Sequence, residues 1–273
     1  MAGGPTVSAL LPFVASRVSA SDDGARGPSG ARAETEAPAL DLSRPGTPAS
    51  AAFGDVYHSV DGGLREAREV FLGGCGLPDA WRGRERFTIA ETGFGTGLNA
   101  LAAWRAWRES GSRGRLRFVS IERYPFDRDA LAALLAPFRD ELGEETDALV
   151  GAWPGRVGGV HALELDGFAL ELWHMDVGAA LAGMRLRADA WFLDGFAPSR
   201  NPEMWLPERL ARVAELSAPG ARLATFTVAG PVRRALADAG FAVERVPGFG
   251  RKRHRLEARL RDARPPRARA PFA

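Results

Sequence analysis

The chain has 273 residues, of which 45% are hydrophobic, 26% charged and 9% aromatic; this fits a globular protein and excludes a wholly disordered one. A core of that size needs no disulfide or metal to hold it. The lone Cys75 forbids an internal disulfide, and His58, His161, His174 and His254 are too far apart for zinc-ligand spacing, so no metal site is expected. No apolar run approaches the ~20 residues of a membrane span, so no membrane association is expected. The net charge of +2 is unevenly spread: residues 245–273 carry ten basic side chains against Glu257 and Asp262, a net +8, on an otherwise acidic body. Such a segment fits a polyanionic partner or a solvated tail.

Residues 1–50 are rich in Ala, Gly, Ser and Pro and read as a disordered leader. The apolar stretch 7–20 is interrupted by Pro12, Ser16 and Arg17 and has no basic residue before it, which favours a cytoplasmic protein over an exported one. Residues 262–273 read as a disordered basic tail, which leaves 51–261 as one folded domain.

Within that domain strand-like and helix-like segments alternate. Phe87–Glu91 predicts a strand, followed by a glycine-rich turn and a helix from Leu98 to Glu109. Arg117–Glu122 predicts a second strand. Asp127 then caps a helix whose apolar face is Leu131, Leu134, Leu135 and Phe138. Phe168–Trp173, Ala188–Asp194 and Ala221–Thr227 predict three more strands. Pro231 and Gly240 bound a helix, and 241–246 with 254–260 suit a closing antiparallel pair. This order predicts an α/β fold, a mostly parallel sheet with helices on both faces and its ligand outside the carboxyl ends of the strands.

The first four strands each end in, or lead into, an acid: Glu91, Glu122, Asp176 and Asp194. The turn after the first strand, ETGFGTG, has Gly93, Gly95 and Gly97 in G-x-G-x-G spacing, not the G-x-G-x-x-G of dinucleotide enzymes. Glycine admits a ligand to the backbone, and the helix that follows offers amides to a carboxylate. Glu122 can accept from two ribose hydroxyls and Asp176 from an adenine amine, a set that describes S-adenosylmethionine. Taken singly, these glycines could only make a tight turn, and Glu122 and Asp176 could only cap helices. Asp194 opens DGFAPSRNPEMW, a rigid loop in which an acid can orient an amine or take its proton.

Together, ETGFGTGLNAL, DAWFLDGFAPSRNPEMW, LATFTVAGPVRRALADAGF and GFGRKR, with FGDVYHSVDGGL and VFLGG upstream, resemble the methyltransferase module of the MnmC family, the bifunctional tRNA 5-methylaminomethyl-2-thiouridine biosynthesis proteins. The resemblance runs from about residue 53 to about residue 260. It implies a class I, Rossmann-like methyltransferase fold and S-adenosylmethionine-dependent methylation of the aminomethyl group on the wobble uridine, in a tRNA anticodon loop. It further implies that Glu91, Gly93, Gly95 and Gly97 form the cofactor loop, that Glu122 holds the ribose, and that Asp176 holds the adenine. Asp194 would face the substrate amine as the catalytic residue. Phe196, Pro198, Asn201 and Tyr57 would shape the substrate pocket, and Arg251, Lys252 and Arg253 would meet phosphate. Tyr57, Phe53 and Trp205 are candidate surfaces for a base that has left its stack. Cys75, Ser199 and Arg200 depart from the residues usual in the family. The family continues into an FAD-dependent oxidase domain where this chain ends, so a stand-alone methyltransferase without FAD, or a truncated gene, is expected.

Three alternatives stay open on the sequence: an NAD-dependent dehydrogenase, a non-catalytic RNA-binding module of the same fold, and a methyltransferase acting on another amine.

Overall fold

The computed structural model describes residues 33–58, 62–250 and 252–262. Most of the expected leader, the tail beyond residue 262, and Arg251 lie outside the described residues. Within the span read as a leader, residues 33–50 nevertheless carry structure. Strands β1 (Leu40–Asp41), β2 (Ala49–Ser50) and β3 (Asp55–Val56) pair into a small antiparallel sheet. Glu34 bridges to Val157, and the Thr35 amide donates to the Arg156 carbonyl at 2.7 Å. Long-range backbone pairing orders this segment, which composition does not reveal.

Helix α1 (Gly63–Glu66), continued by a π-helical turn over Ala67–Leu72, leads to β4 (Arg86–Glu91). Then follow α2 (Leu98–Glu109), β5 (Arg115–Ile121), α3 (Arg128–Leu135) and α4 (Arg139–Ala152). Asp127 caps α3 as expected, accepting from the Ala130 amide at 2.8 Å. Strands β6 (Gly159–Leu165) and β7 (Phe168–His174) form a hairpin. The chain continues through α5 (Val177–Gly183), β8 (Ala188–Phe192), α6 (Pro207–Glu215), β9 (Ser217–Thr225) and α7 (Gly230–Asp238). It closes with β10 (Phe241–Pro247) and β11 (His254–Leu260).

The eight-stranded sheet has the order β10-β11-β9-β8-β4-β5-β7-β6. Strands β9, β8, β4, β5 and β7 are parallel neighbours, and β10, β11 and β6 join antiparallel. The chain runs outward from β4 through β5 to β7, then returns to start β8 on the other side of β4. That reversal is the switch point at which open α/β sheets bind ligands.

Strand period two divides the core into two layers. On β5, Leu116 and Phe118 pack with α2, α3 and α4, whereas Val119 and Ile121 pack with α5, α6 and α7. On β4 the same alternation sends Phe87 and Ile89 toward α2. It sends Glu91 there as well, at the open edge.

Candidate active site

The four acids line up along the carboxyl edge of the sheet. Glu91 is the last residue of β4, Glu122 follows β5 directly, and Asp176 and Asp194 stand two residues beyond β7 and β8. The fourth strand is therefore shorter than the sequence suggests. It stops at Phe192, and Asp194 belongs to the loop. In sheet order the four acids sit on adjacent strands, β8, β4, β5 and β7.

The glycine loop closes against the Asp194 loop. A Cβ on Gly93 would lie 3.0 Å from the Asp194 carbonyl oxygen and 3.1 Å from the Gly195 Cα, so any side chain there would have to push the two backbones apart. The Thr92 hydroxyl donates to the same Asp194 carbonyl at 2.7 Å. Gly97 enters α2 with φ +79°, a left-handed conformation that side chains resist.

Glu91 is fully buried. Its Oε1 accepts from the Asn99 carboxamide at 2.9 Å, and its Oε2 from the Ser120 hydroxyl at 2.6 Å. Asn99 Nδ2 also donates to Asp194 Oδ2 at 2.8 Å, and the Gly195 amide donates to Asp194 Oδ1 at 2.8 Å. One carboxamide therefore joins two carboxyls. Burial pushes Glu91 well above the usual carboxylate range; the Ser120 and Asn99 hydrogen bonds oppose this, and the charges of Asp194 and Glu122 add to it. Burial likewise pushes Asp194 up to about 6, with Glu66 raising it further, while the Gly195 amide, Asn99 and Lys252 pull it down.

Glu122 Oε2 accepts from the Gly95 amide and Oε1 from the Tyr124 amide, each at 2.8 Å, so the carboxyl fastens the glycine loop to the end of β5. Burial raises its pKa against those backbone hydrogen bonds. Each oxygen keeps acceptor capacity beyond these bonds. Asp176 caps α5 through Oδ1, accepting from Gly178 at 2.8 Å and Ala179 at 3.3 Å, and it lies between Arg123 (3.6 Å) and Arg209 (3.9 Å).

An aromatic wall faces the glycine loop. Tyr57 Cδ1 would sit 3.6 Å from a Cβ on Gly95, and its ring meets Phe126 and Phe196 edge-on. Phe53 stacks on Phe196, with centroids 4.6 Å apart. Asp55 Oδ2 accepts from the Ala197 amide at 2.9 Å, tying the 194–205 loop to β3. Asn201 holds the loop's far end, its side-chain amide 3.7 Å from Met204 Sδ, and Pro198 is partly buried. Trp205 is not a stacking surface: it is buried, and its indole N–H donates to the Phe196 carbonyl at 3.0 Å.

Lys252 and Arg253 are both exposed; Lys252 Nζ pairs with Glu66 at 2.9 Å and lies 3.9 Å from the centroid of the Phe226 ring. Asn99, Thr92, Ser120 and Asp55 are the site residues that sequence reasoning missed. Asn99 did leave a signal: it is a polar residue among Leu98, Leu101, Ala102 and Trp104 at the apolar start of the helix, directly after the glycine loop.

Among the described residues no group of His, Cys, Asp and Glu is placed to hold a metal, and no helix is long and apolar enough to cross a membrane. A family model described as S-adenosyl-L-methionine-dependent methyltransferase matches residues 140–261. The tRNA 5-methylaminomethyl-2-thiouridine biosynthesis bifunctional protein MnmC of Maricaulis maris (strain MCS10) is 53% identical over 222 residues, covering 80% of this chain and 38% of that protein. The protein of the same name from Caulobacter sp. (strain K31) is 54% identical over 221 residues, covering 78% of this chain and 37% of that protein. The chain thus spans less than two-fifths of the length of these relatives. The crystal structure of MNMC2 from Aquifex aeolicus shares the fold, with a TM-score of 0.67 and 23% identity over 88% of this chain and 74% of that one.

Proposed function

We propose that the chain is an S-adenosyl-L-methionine-dependent methyltransferase that methylates the 5-aminomethyl group of a wobble uridine in tRNA. The observation that carries this reading is the junction of the glycine loop with Asp194, where an acid stands against the loop assigned to the cofactor.

The donor set suits the cofactor on its own chemistry. Gly93 and Gly97 let the loop close on the Asp194 backbone and the Phe94 ring, a Cβ on Gly95 would meet only Tyr57 at 3.6 Å, and the start of α2 offers amides to a carboxylate. Glu122 and Asp176 have acceptor oxygens for ribose hydroxyls and an adenine amine. Three acids with raised pKa values, Glu91, Glu122 and Asp194, form an edge that favours a cation. When bound, the cofactor supplies an electrophilic methyl group on a positively charged sulfur.

The chain's own part is to hold the acceptor amine neutral and aligned. Alignment alone is worth up to ~7–11 kcal/mol in favourable cases. An alkylammonium, with an ordinary pKa near ~10.4, must lose a proton before it attacks. Asp194, titrating at about 6, is ionised at neutral pH and receives or orients that proton. Phe53, Tyr57 and Phe196 suit the face of a base, Pro198 and Asn201 complete the pocket wall, and Arg253 offers a phosphate contact. Arg251 is assigned the same role on sequence alone. Lys252, proposed to meet phosphate, also contributes to the charge balance around Asp194 through its pairing with Glu66.

The test is incubation of the protein with methyl-labelled S-adenosylmethionine and tRNA bearing 5-aminomethyluridine, followed by nucleoside analysis. Label in 5-methylaminomethyluridine is expected. Binding of tRNA and cofactor without label transfer would leave a non-catalytic RNA-binding module instead.

A further inference from the structure

The 98–109 helix contributes one buried polar side chain to the site, and it does so between two acids. Asn99 is 8% exposed, and its Nδ2 reaches Glu91 Oε1 at 2.9 Å and Asp194 Oδ2 at 2.8 Å. A carboxamide nitrogen has two hydrogens, so both contacts can be made at once. Glu91 is itself anchored by Ser120 from the next strand, so the chain Ser120–Glu91–Asn99–Asp194 links β5, β4, α2 and the loop after β8.

We propose that Asn99 is a positioning residue for methyl transfer: anchored on buried Glu91, it fixes Asp194 Oδ2 and supports the ionised form of that carboxyl. The inference rests on the reading of Asp194 as the residue that faces the amine. With Oδ1 held by the Gly195 amide and Oδ2 by Asn99, the carboxylate plane is fixed, and the remaining lone pairs are left for an incoming N–H. An acid in Asn99's place would bring a third carboxyl between buried Glu91 and half-buried Asp194, so this position favours a neutral donor. The groups facing Asp194 are Glu91 from β4, Glu66 from α1 and Lys252 from the loop between β10 and β11; Glu122 faces Glu91 from the end of β5. Only Lys252 among these is cationic, and it is shared with Glu66. Asn99 and the Gly195 amide therefore carry much of the support for the charged form.

Removing a hydrogen bond to a charged group raises the pKa of an acid, here by roughly one unit. Three measurements test this on the full chain: cofactor affinity by calorimetry, single-turnover transfer to aminomethyl-uridine tRNA against pH, and titration of the Asp194 13Cγ resonance, identified by its loss in Asp194→Asn. For Asn99→Ala the acidic limb of the rate profile and the Asp194 midpoint should both move up by about one unit, a roughly tenfold loss of rate on that limb. Cofactor affinity should stay within about twofold. Asn99→Asp keeps the side-chain volume should the alanine variant fold poorly, and should move the limb further in the same direction. An Asp194 midpoint unchanged in folded Asn99→Ala overturns the proposal, whatever the substrate. If wild type transfers nothing to this tRNA, the functional reading falls, and the resonance midpoint alone still decides the role of Asn99.

Discussion

Asp194 makes a stability prediction that needs no substrate. Its native pKa is about 6 against an ordinary value of 3.8, so the folded protein binds more protons than the unfolded chain between those pH values. The sign follows directly: for a raised acid the unfolding free energy falls as pH rises from about 4 to about 6, and the full cost is present above 6. The shift corresponds to about 3 kcal/mol in total, and linkage places roughly half of it between pH 5 and pH 7.5. Asp194→Asn removes this slope. The variant keeps an oxygen for Asn99 and loses the acceptor for the Gly195 amide, at a cost of about 1 kcal/mol that is the same at each pH and cancels in the comparison. Removing the charge also eases the ionisation of Glu91, which acts in the same direction. Urea unfolding of both proteins at pH 5, 6 and 7.5 gives the two curves. Wild type should lose at least about 1 kcal/mol more than the variant across that range. Parallel curves would mean that Asp194 is not held in a medium that opposes its charge, and the proton-accepting role argued for it would lose its basis.

Two further outcomes follow from the loops around it. Gly97→Ala combines a positive φ with a Cβ only 2.5 Å from the Phe94 ring, whereas Gly83→Ala has φ +74° and open space. Both variants should lose about 1–2 kcal/mol from the backbone, but Gly97→Ala should lose more in urea unfolding and bind S-adenosylmethionine more weakly by calorimetry. Lys252→Met removes the ammonium paired with Glu66, so Asp194 should hold its proton to higher pH and the acidic limb of the transfer profile should move up. A raised KM for tRNA with an unmoved limb would leave Lys252 with phosphate contact alone.

The five parallel strands were legible because burial on both faces makes them apolar runs, and the acids at their ends stand out against those runs. The helix at 98–109 and the Asp127 cap were legible for local reasons, apolar spacing and a capping acid. Strand β6 was not. It is half exposed along its length and lacks an apolar run, although Asp166-Gly167, with φ +67° at the glycine, marks the hairpin turn that makes it. The small sheet at 40–56 rests on pairs of two residues each, too short for any period to show. Lys252 sits in a basic run; its contacts with Phe226 and with Glu66, 186 positions away in sequence, leave no local trace.

The same distinction separates the acids from what holds them. Chain order places Glu91, Glu122, Asp176 and Asp194 on one edge, because parallel strands in a switch-point sheet deliver their ends to one side. It does not say which acids are buried or which groups share them. Burial of Glu91 beside Asp194 is costly when both are ionised, and Asn99 makes that closeness tolerable with one neutral donor between two acceptors. The contact joins residues 95 positions apart, so no local pattern encodes it. A carboxyl edge held with raised pKa values binds a cation better than a solvated one does, because a cation relieves repulsion that water would otherwise screen. Of the partners in the proposed reaction, the sulfonium is a cation of that kind, whereas the amine must lose its proton before it attacks. The cost built into Glu91 and Asp194 therefore bears on the site's preference for its cofactor.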